Sequence, residues 1–188
     1  MSESKLMAAA RQWVIDRYPY NRAHLLRSLE WLDRIAPGQS DTVRLATLTH
    51  DMERAFPGPD QPHATKMVDA TYERLHSERS ARIVGDWLRE HEADAPFIAD
   101  VERLIVAHEV GGWPEADLVQ AADSLSILEV NVDLFLGFVR SGRFTLPDVR
   151  GKFELARDRI RLPHVRDLAA PMADRALERL RAMELELA

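Results

Sequence analysis

Apolar residues recur at spacings of three and four along most of the chain, which is the pattern of amphipathic helices. In residues 21–35, for example, Leu25, Leu26, Leu29 and Leu32 share one helical face. No segment alternates with a period of two over the length of a strand. The pattern therefore predicts an all-α fold. The predicted helices cover residues 4–17, 21–35, 41–55, 63–75, 77–91, 96–109, 115–139, 146–160 and 167–187, with Asn21 as a cap of the second.

Proline and glycine mark the breaks between these helices. The clearest loop is PGPDQP at 57–62, which follows the segment HDMERAF and could form a wall or lid beside any site there. We expect one helical metal-binding domain over residues 1–144. Residues 145–188 would form a C-terminal helical extension packed on the same domain.

Composition and charge narrow the classes of function. Of the 188 residues, 46% are hydrophobic and 30% are charged, which suits a globular protein. A net charge of -6 disfavours a nucleic-acid backbone as the main partner. The chain has no cysteine, so disulfides, zinc-thiolate sites and a cysteine nucleophile are excluded. No signal peptide or membrane span is recognised, which favours a cytoplasmic protein. The last helix could pack on a partner or form a homodimer.

The candidate chemistry begins with His50 and Asp51, which end the apolar segment RLATLTH. A buried His-Asp pair needs compensation, either from a bound cation or from a mutual hydrogen bond. His24 lies one helix upstream. It precedes the Pro37-Gly38 turn by about the same number of residues as His50 follows it, which places the two histidines at neighbouring levels in antiparallel helices.

Three further residues extend this set. Asp123 lies in the apolar segment DLVQAADSLSILEVN and needs a partner, either a cation, a cap or a salt bridge. His76 begins the segment HSERSARIVGDWL, at a predicted helix N-terminus, and His108 ends VERLIVAHE. Each of these two is by itself either structural or functional. The remaining histidines, in polar or Pro-rich surroundings, are expected at the surface: His63, His91 and His164.

The ordered set His24, His50-Asp51, His76, His108 and Asp123, on successive helices, resembles the HD superfamily of metal-dependent phosphohydrolases over residues 20–135. The resemblance implies an HD-type helical bundle with additional C-terminal helices. It makes His24, His50, Asp51 and Asp123 the ligands of one divalent metal: Mn, Fe, Co, Ni or Zn, with Mg as a further candidate. His76 and His108 would hold a second ion or bind substrate phosphate.

The resemblance also implies an activity, namely hydrolysis of a small phosphoester such as a nucleotide. Asp51 would orient ion and water, Glu53 would be a second base, and Arg54 would clamp phosphate. Lys66 and Arg79 are weaker candidates for phosphate binding. Ser124-Leu125-Ser126 departs from the Arg-Leu-Asp of many members, and the 15-residue spacing from His108 to Asp123 is short. A di-iron oxygenase and a non-catalytic metal-binding sensor or interaction module remain the alternatives.

Overall fold

A computed structural model describes residues 4–187, and within this range the chain is entirely helical, which confirms the predicted fold class. The ends of the two predicted units, residues 1–3 and 188, lie outside the described residues. The helices are α1 Lys5–Arg17, α2 Arg22–Ile35, α3 Asp41–Thr49, a 3-10 helix Met52–Ala55, α4 Ala70–Glu90, α5 Ala95–Ala107, α6 Pro114–Val130, α7 Val132–Arg140, α8 Leu146–Asp158 and α9 Pro163–Leu187.

Several helix starts follow ordinary capping chemistry. The side chains of Ser4, Ser40 and Thr145 each accept a hydrogen bond from a backbone N–H in the first turn of their helix. Asn21 occupies the predicted N-cap position of α2 but makes no side-chain capping bond. Its side chain instead lines a cavity described below.

The third helix ends earlier than predicted, at Thr49 rather than near Ala55. Asp51, with φ -104° and ψ 13°, leaves the helical conformation, and a 3-10 helix follows. The backbone N–H of Glu53 donates to the Ser80 hydroxyl of α4 at 3.0 Å instead of to an intrahelical carbonyl. This bond to a neighbouring helix redirects the chain at the His-Asp pair.

A single helix, α4, replaces the two helices predicted at 63–75 and 77–91. It begins at Ala70 because the Asp69 carboxylate accepts bonds from the N–H groups of Thr71 and Tyr72. Ser77 does not start a new helix, since its hydroxyl donates to a carbonyl one turn back. His76 therefore lies inside a helix, and its predicted position at a helix N-terminus is wrong.

The long helix predicted at 115–139 is interrupted at Asn131, which ends α6 and begins α7. Two apolar clusters meet along α6. The first is formed mainly by α1 to α5, and the second by α7 to α9 with the later part of α6. Helix α6 contacts α2, α3, α5, α8 and α9, so its side chains are buried on nearly all sides. Within residues 4–187, no helix combines the length and the apolar character that a membrane crossing requires.

Candidate metal centre

Six side chains, from three helices and from the chain just beyond the ends of two others, converge in the interior, and all six were predicted as ligands from the sequence. None is more than 3% exposed. Their ligand atoms form three overlapping groups, within each of which the atoms lie within 4.8 Å of one another. The groups are His24, His50 and Asp51; His50, His108 and Asp123; and Asp51, His76 and His108. These buried groups could hold a metal ion.

Two of the histidines are oriented by the ends of helices. His50 and His108 directly follow α3 and α5 as C-cap residues. The Nδ1 of His50 lies 2.9 Å from the Thr47 carbonyl, and that of His108 lies 2.7 Å from the Ile105 carbonyl. A carbonyl can only accept, so Nδ1 carries the proton in both rings. In the neutral form of each ring the lone pair is then on Nε2, and among the described residues neither Nε2 has a hydrogen-bond partner.

His24, in the first turn of α2, is oriented by a serine. The hydroxyl of Ser126 donates to the His24 carbonyl at 2.8 Å, so it accepts from the His24 Nδ1 at 2.9 Å. The Nε2 of His24 is thereby left as a ligand atom. Ser126 is one of the residues that departs from the pattern of the HD superfamily, and the structure gives it this orienting role.

The two aspartates present their oxygens to different parts of the cluster. Asp123 Oδ1 lies 3.1 Å from His24 Nε2 and 3.3 Å from His50 Nε2. Asp51 Oδ2 lies 3.9 Å from His24 Nε2, whereas Asp51 Oδ1 lies 3.6 Å from His76 Nδ1. Asp51 therefore lies between His24 and His76, in the position of a carboxylate that can bridge two ions.

Glu109 belongs to the centre although the sequence analysis did not select it. Its Oε1 lies 3.1 Å from His76 Nε2 and so accepts the proton of that nitrogen. The Nδ1 of His76 is consequently the free nitrogen, and it too has no partner among the described residues. Glu109 follows His108 as Asp51 follows His50, and this repeated pairing is the signal that could have identified it.

Arg159, the residue directly after α8, is the second member that the sequence analysis missed. Its guanidinium pairs with the carboxylates of Asp123 and Glu109, and its Nε donates to the Ser124 hydroxyl at 2.8 Å. Ser124 is another of the departures from the family pattern. The predicted C-terminal extension thus contributes a buried guanidinium, that of Arg159, to the centre. Nothing in the sequence around Arg159 indicates this position.

Burial and neighbouring charges set the protonation of the histidines. Burial lowers the pKa of His24, although the hydrogen bond to Asp123 acts in the opposite direction. Burial likewise lowers the pKa of His76, to about 4, although the hydrogen bond to Glu109 raises it. Burial also disfavours charge on His50, but the carboxylates of Asp123 and Asp51 outweigh it and raise its pKa to about 9. Two imidazoles are therefore neutral at neutral pH, as metal ligation requires. A cation that binds His50 has to displace its proton.

The aspartates remain ionised although they are buried. Burial by itself raises the pKa of a carboxyl, but Arg54 and His50 hold that of Asp51 below its ordinary value. Arg159 and His50 do the same for Asp123, whose pKa lies well below its ordinary value. Ionised carboxylates beside neutral, unpartnered imidazole nitrogens are the donors that divalent transition metals prefer, so the residues present fit such an ion.

The remaining predicted site residues divide into two kinds. Arg54 pairs with Asp51, and its Nε donates to the Tyr72 hydroxyl at 3.2 Å. Glu53 is fully buried, and burial raises its pKa. Its Oε1 has no hydrogen-bond partner among the described residues and lies 3.8 Å from the Nε of Arg54. Both line the cavity beside the centre, and exposed Lys66 lies on the same cavity wall.

Arg79 has a different position. Its guanidinium donates to the carbonyls of Glu53 and Phe56 at 2.9 and 2.8 Å, and to Asp60 at 3.0 Å. It does not line the cavity. The structure therefore gives Arg79 the role of fixing the loop after the 3-10 helix, and does not support its predicted role in substrate binding. His63 lies on the cavity rim, whereas His91 and His164 lie away from it and, as predicted, are exposed.

The cavity has a volume of about 350 Å³ and opens beside the centre. Its polar lining includes His24, Asp51 and Asp123, together with the buried side chain of Lys152. The Nζ of Lys152 lies 3.8 Å from Glu73 Oε1. A ligand in this cavity would therefore meet the candidate metal ligands and cationic side chains at once.

No family model, curated protein or solved structure matches this chain. The interpretation of the centre therefore depends on the geometry and chemistry of its own residues.

Proposed function

We propose that this protein is a metal-dependent phosphohydrolase of the HD type that acts on a small phosphoester. The observation that supports this most strongly is the set of three buried imidazole nitrogens, on His50, His76 and His108, that have no hydrogen-bond partner among the described residues and lie beside two ionised aspartates. Unpaired buried polar atoms are costly, and a divalent cation would satisfy all of them together.

The ligand groups assign the residues to one or two ions. His24, His50, Asp51 and Asp123 would hold the first, and Asp51, His76 and His108 would hold the second, with Asp51 shared. When bound, such an ion lowers the pKa of water and offsets negative charge on a phosphoryl oxygen.

The chain itself supplies the remaining functions. The Arg54 guanidinium, whose side chain is 30% exposed to the cavity, would bind phosphate oxygens, and Lys152 would add a second positive charge. Hydrolysis forms a bond from the water oxygen to phosphorus and breaks the bond from phosphorus to the ester oxygen. Glu53 Oε1, which is buried and has no hydrogen-bond partner among the described residues, would take the proton that water loses and return it to the leaving oxygen.

The same donor set also suits two irons, and metal binding without catalysis would need no cationic cavity wall. Arg54, Lys66 and Lys152 on that wall favour an anionic substrate and therefore an enzyme over a sensor. They do not by themselves separate hydrolysis from oxygen chemistry, so the test has to measure both.

The test combines metal analysis of the purified protein with a panel of phosphoesters in the presence of Mn²⁺, Co²⁺, Ni²⁺ or Mg²⁺. We expect one or two ions per chain and release of inorganic phosphate from at least one monoester. His164→Ala, which changes an exposed histidine remote from the cavity, is the matched control and should behave as wild type. Two irons per chain with oxygen consumption, or metal binding without phosphate release, would overturn the hydrolase assignment.

A further inference from the structure

The cavity extends along helix α6 away from the candidate metal centre. Asp123, Ile127 and Asn131 follow one another at intervals of four residues and all three line the cavity. Residues four apart lie on the same face of a helix, and eight residues of helix span about 12 Å. The cavity therefore connects a predicted metal ligand at one end with Asn131 at the other.

The wall beyond Asp123 is apolar and rich in aromatic rings. We define this apolar wall by Met67, Ile127, Leu134, Phe135, Phe138 and Phe144, all of which line the cavity. Phe135 and Phe138 are stacked with centroids 6.0 Å apart, and Phe138 meets Phe144 edge to face at 5.7 Å. Such rings pair favourably with further aromatic rings. A purely polar phosphoester would leave this surface in contact with water.

Arg143 adds a flat, charged surface at the same place. Its guanidinium carbon lies 4.6 Å from the centroid of Phe138 and 5.4 Å from that of Phe144. Among the described residues, no carboxylate lies within ion-pair distance of Arg143. A guanidinium stacked on two rings, in the wall of the same cavity, presents another planar face to an aromatic ligand.

One polar group interrupts the apolar wall. Asn131 is 3% exposed, and its Oδ1 has no hydrogen-bond partner among the described residues. A buried amide oxygen without a partner is costly, and a ligand group that donates a hydrogen bond would remove that cost. The apolar wall together with Asn131 therefore favours a ligand with an aromatic ring that carries a hydrogen-bond donor.

We infer that the substrate is a phosphomonoester whose esterified group is an aromatic ring system bearing a hydrogen-bond donor. Its phosphate lies at Arg54 and the candidate metal centre, its ring packs on the apolar wall, and its donor reaches Asn131. The inference rests on the proposed function for the place of the phosphate. The cavity volume of about 350 Å³ agrees, because it lies in the range of small-molecule pockets and leaves room for a fused ring and a phosphate.

The test uses phosphonates, which bind as phosphate monoesters do but are not hydrolysed. Calorimetry on the metal-loaded protein would compare (6-amino-2-naphthyl)methylphosphonate, 2-naphthylmethylphosphonate and methylphosphonate. We expect affinity to fall by about tenfold or more when the ring is removed, and by several-fold when only the amine is removed. Equal affinity for all three would overturn the inference.

Two variants test where the aromatic ring and its amine bind in the cavity. Phe138→Ala should lower affinity for the naphthyl compounds by about tenfold and leave that for methylphosphonate unchanged. Asn131→Leu should remove the preference for the amine while keeping that for the ring. Phe97→Ala, a half-buried phenylalanine of α5 that does not line the cavity, is the matched control. If Phe138→Ala weakens all three compounds equally, or none of them, the proposed place of the ring is wrong.

Hydrolysis separates this inference from the proposed function. Naphthylmethyl phosphate and glycerol phosphate both release an alcohol, so their intrinsic reactivity is comparable. Faster release of phosphate from the naphthylmethyl ester supports both proposals. Equal rates would leave the hydrolase standing and overturn the substrate class. Selective binding of the naphthyl phosphonates without hydrolysis of either ester would support the substrate-binding wall and overturn the hydrolase.

Discussion

The chain turns away from a helix twice with the same pair of residue types, at His50-Asp51 after α3 and at His108-Glu109 after α5. In both corners the histidine donates its Nδ1 proton to the carbonyl three residues earlier and leaves Nε2 free. The acidic residues then differ. Asp51 lies between His24 and His76, whereas Glu109 accepts the proton of His76 and pairs with Arg159.

The same local structure, a helix that ends in a histidine and an acidic residue, therefore has two different roles. The first corner supplies two candidate ligands. The second supplies one candidate ligand, His108, and a carboxylate that orients a candidate ligand of another helix. Replacing Asp51 or Glu109 therefore tests the comparison directly. Replacing Arg159, which pairs with Glu109, tests it indirectly.

The largest effect is expected for Asp51→Ala. Because Asp51 belongs to two of the three ligand groups, its loss should abolish metal binding and lower kcat/KM by far more than the about 10- to 100-fold typical of residues that only support a ligand. Metal analysis and phosphate release would measure this. The far-ultraviolet circular dichroism should stay helical, and a variant with full activity would show that Asp51 is not a ligand.

Arg159→Met should mainly affect stability. It leaves two buried carboxylates, Asp123 and Glu109, without the guanidinium that offsets their charge, and removing one partner of a buried pair costs about 3–5 kcal/mol. Denaturant unfolding of the metal-free protein would measure this loss. Since a divalent cation replaces part of the missing charge, the loss should be smaller in the metal-loaded protein. The same loss in both forms would argue against a cation beside these carboxylates.

Glu109→Gln should separate the two corners. The amide oxygen can still accept from His76 Nε2, but the negative charge that strengthens this bond is gone. We expect affinity for the ion at Asp51, His76 and His108 to fall by about 10- to 100-fold, while the ion at His24, His50 and Asp123 remains. Titration with Mn²⁺ or Co²⁺ would reveal the two affinities. If both ions were lost together, Glu109 would have the same importance as Asp51.

The smallest effect concerns a carboxylate outside the centre. Glu129 joins α6 to α2 by accepting bonds from Arg27 and Trp31 at 2.7 Å. These bonds, with Arg27 first, lower its pKa, so its contribution to stability is fully present above its ordinary pKa of 4.5 and is lost as the pH falls through the lowered pKa. Because the pair is partly exposed, Glu129→Gln should cost below about 1 kcal/mol at pH 7 and progressively less as the pH falls through that lowered pKa. If the loss of stability caused by Glu129→Gln became larger at lower pH, the predicted pH dependence would be wrong.

His50, Asp51 and Asp123 were recognisable from the sequence because each is a polar residue placed in an apolar, helical segment. That contrast is visible in one dimension, as in RLATLTHD. His24 was added by its matched depth, and His76 and His108 by the ordered pattern that resembles the HD superfamily. Glu109 was missed because an acidic residue at the end of a helix usually faces solvent. Arg159 was missed because its partners lie 36 and 50 residues away along the chain. Only the packing of α8 against α6 brings it to Asp123.

The helix boundaries failed for a related reason. Ser77 and Asn131 are residue types that often cap helices, yet one continues a helix and the other interrupts one. The hydroxyl of Ser77 satisfies itself within its own helix, whereas Asn131 marks the point at which α7 turns toward α8. Local propensity does not separate the two outcomes, because the same residue types occur both at helix ends and within helices.

The place of Arg159 also sets an order of events during synthesis. Helices α2 to α6 leave the ribosome before the residues of α8 have been made, so the histidines and aspartates emerge without their arginine. Until α8 docks, Asp123 and Glu109 lack the guanidinium that offsets their charge, and under the proposed function a divalent cation would take part of its place. Metal supply in the cell would then govern the yield of folded chains as well as the chemistry of the finished protein.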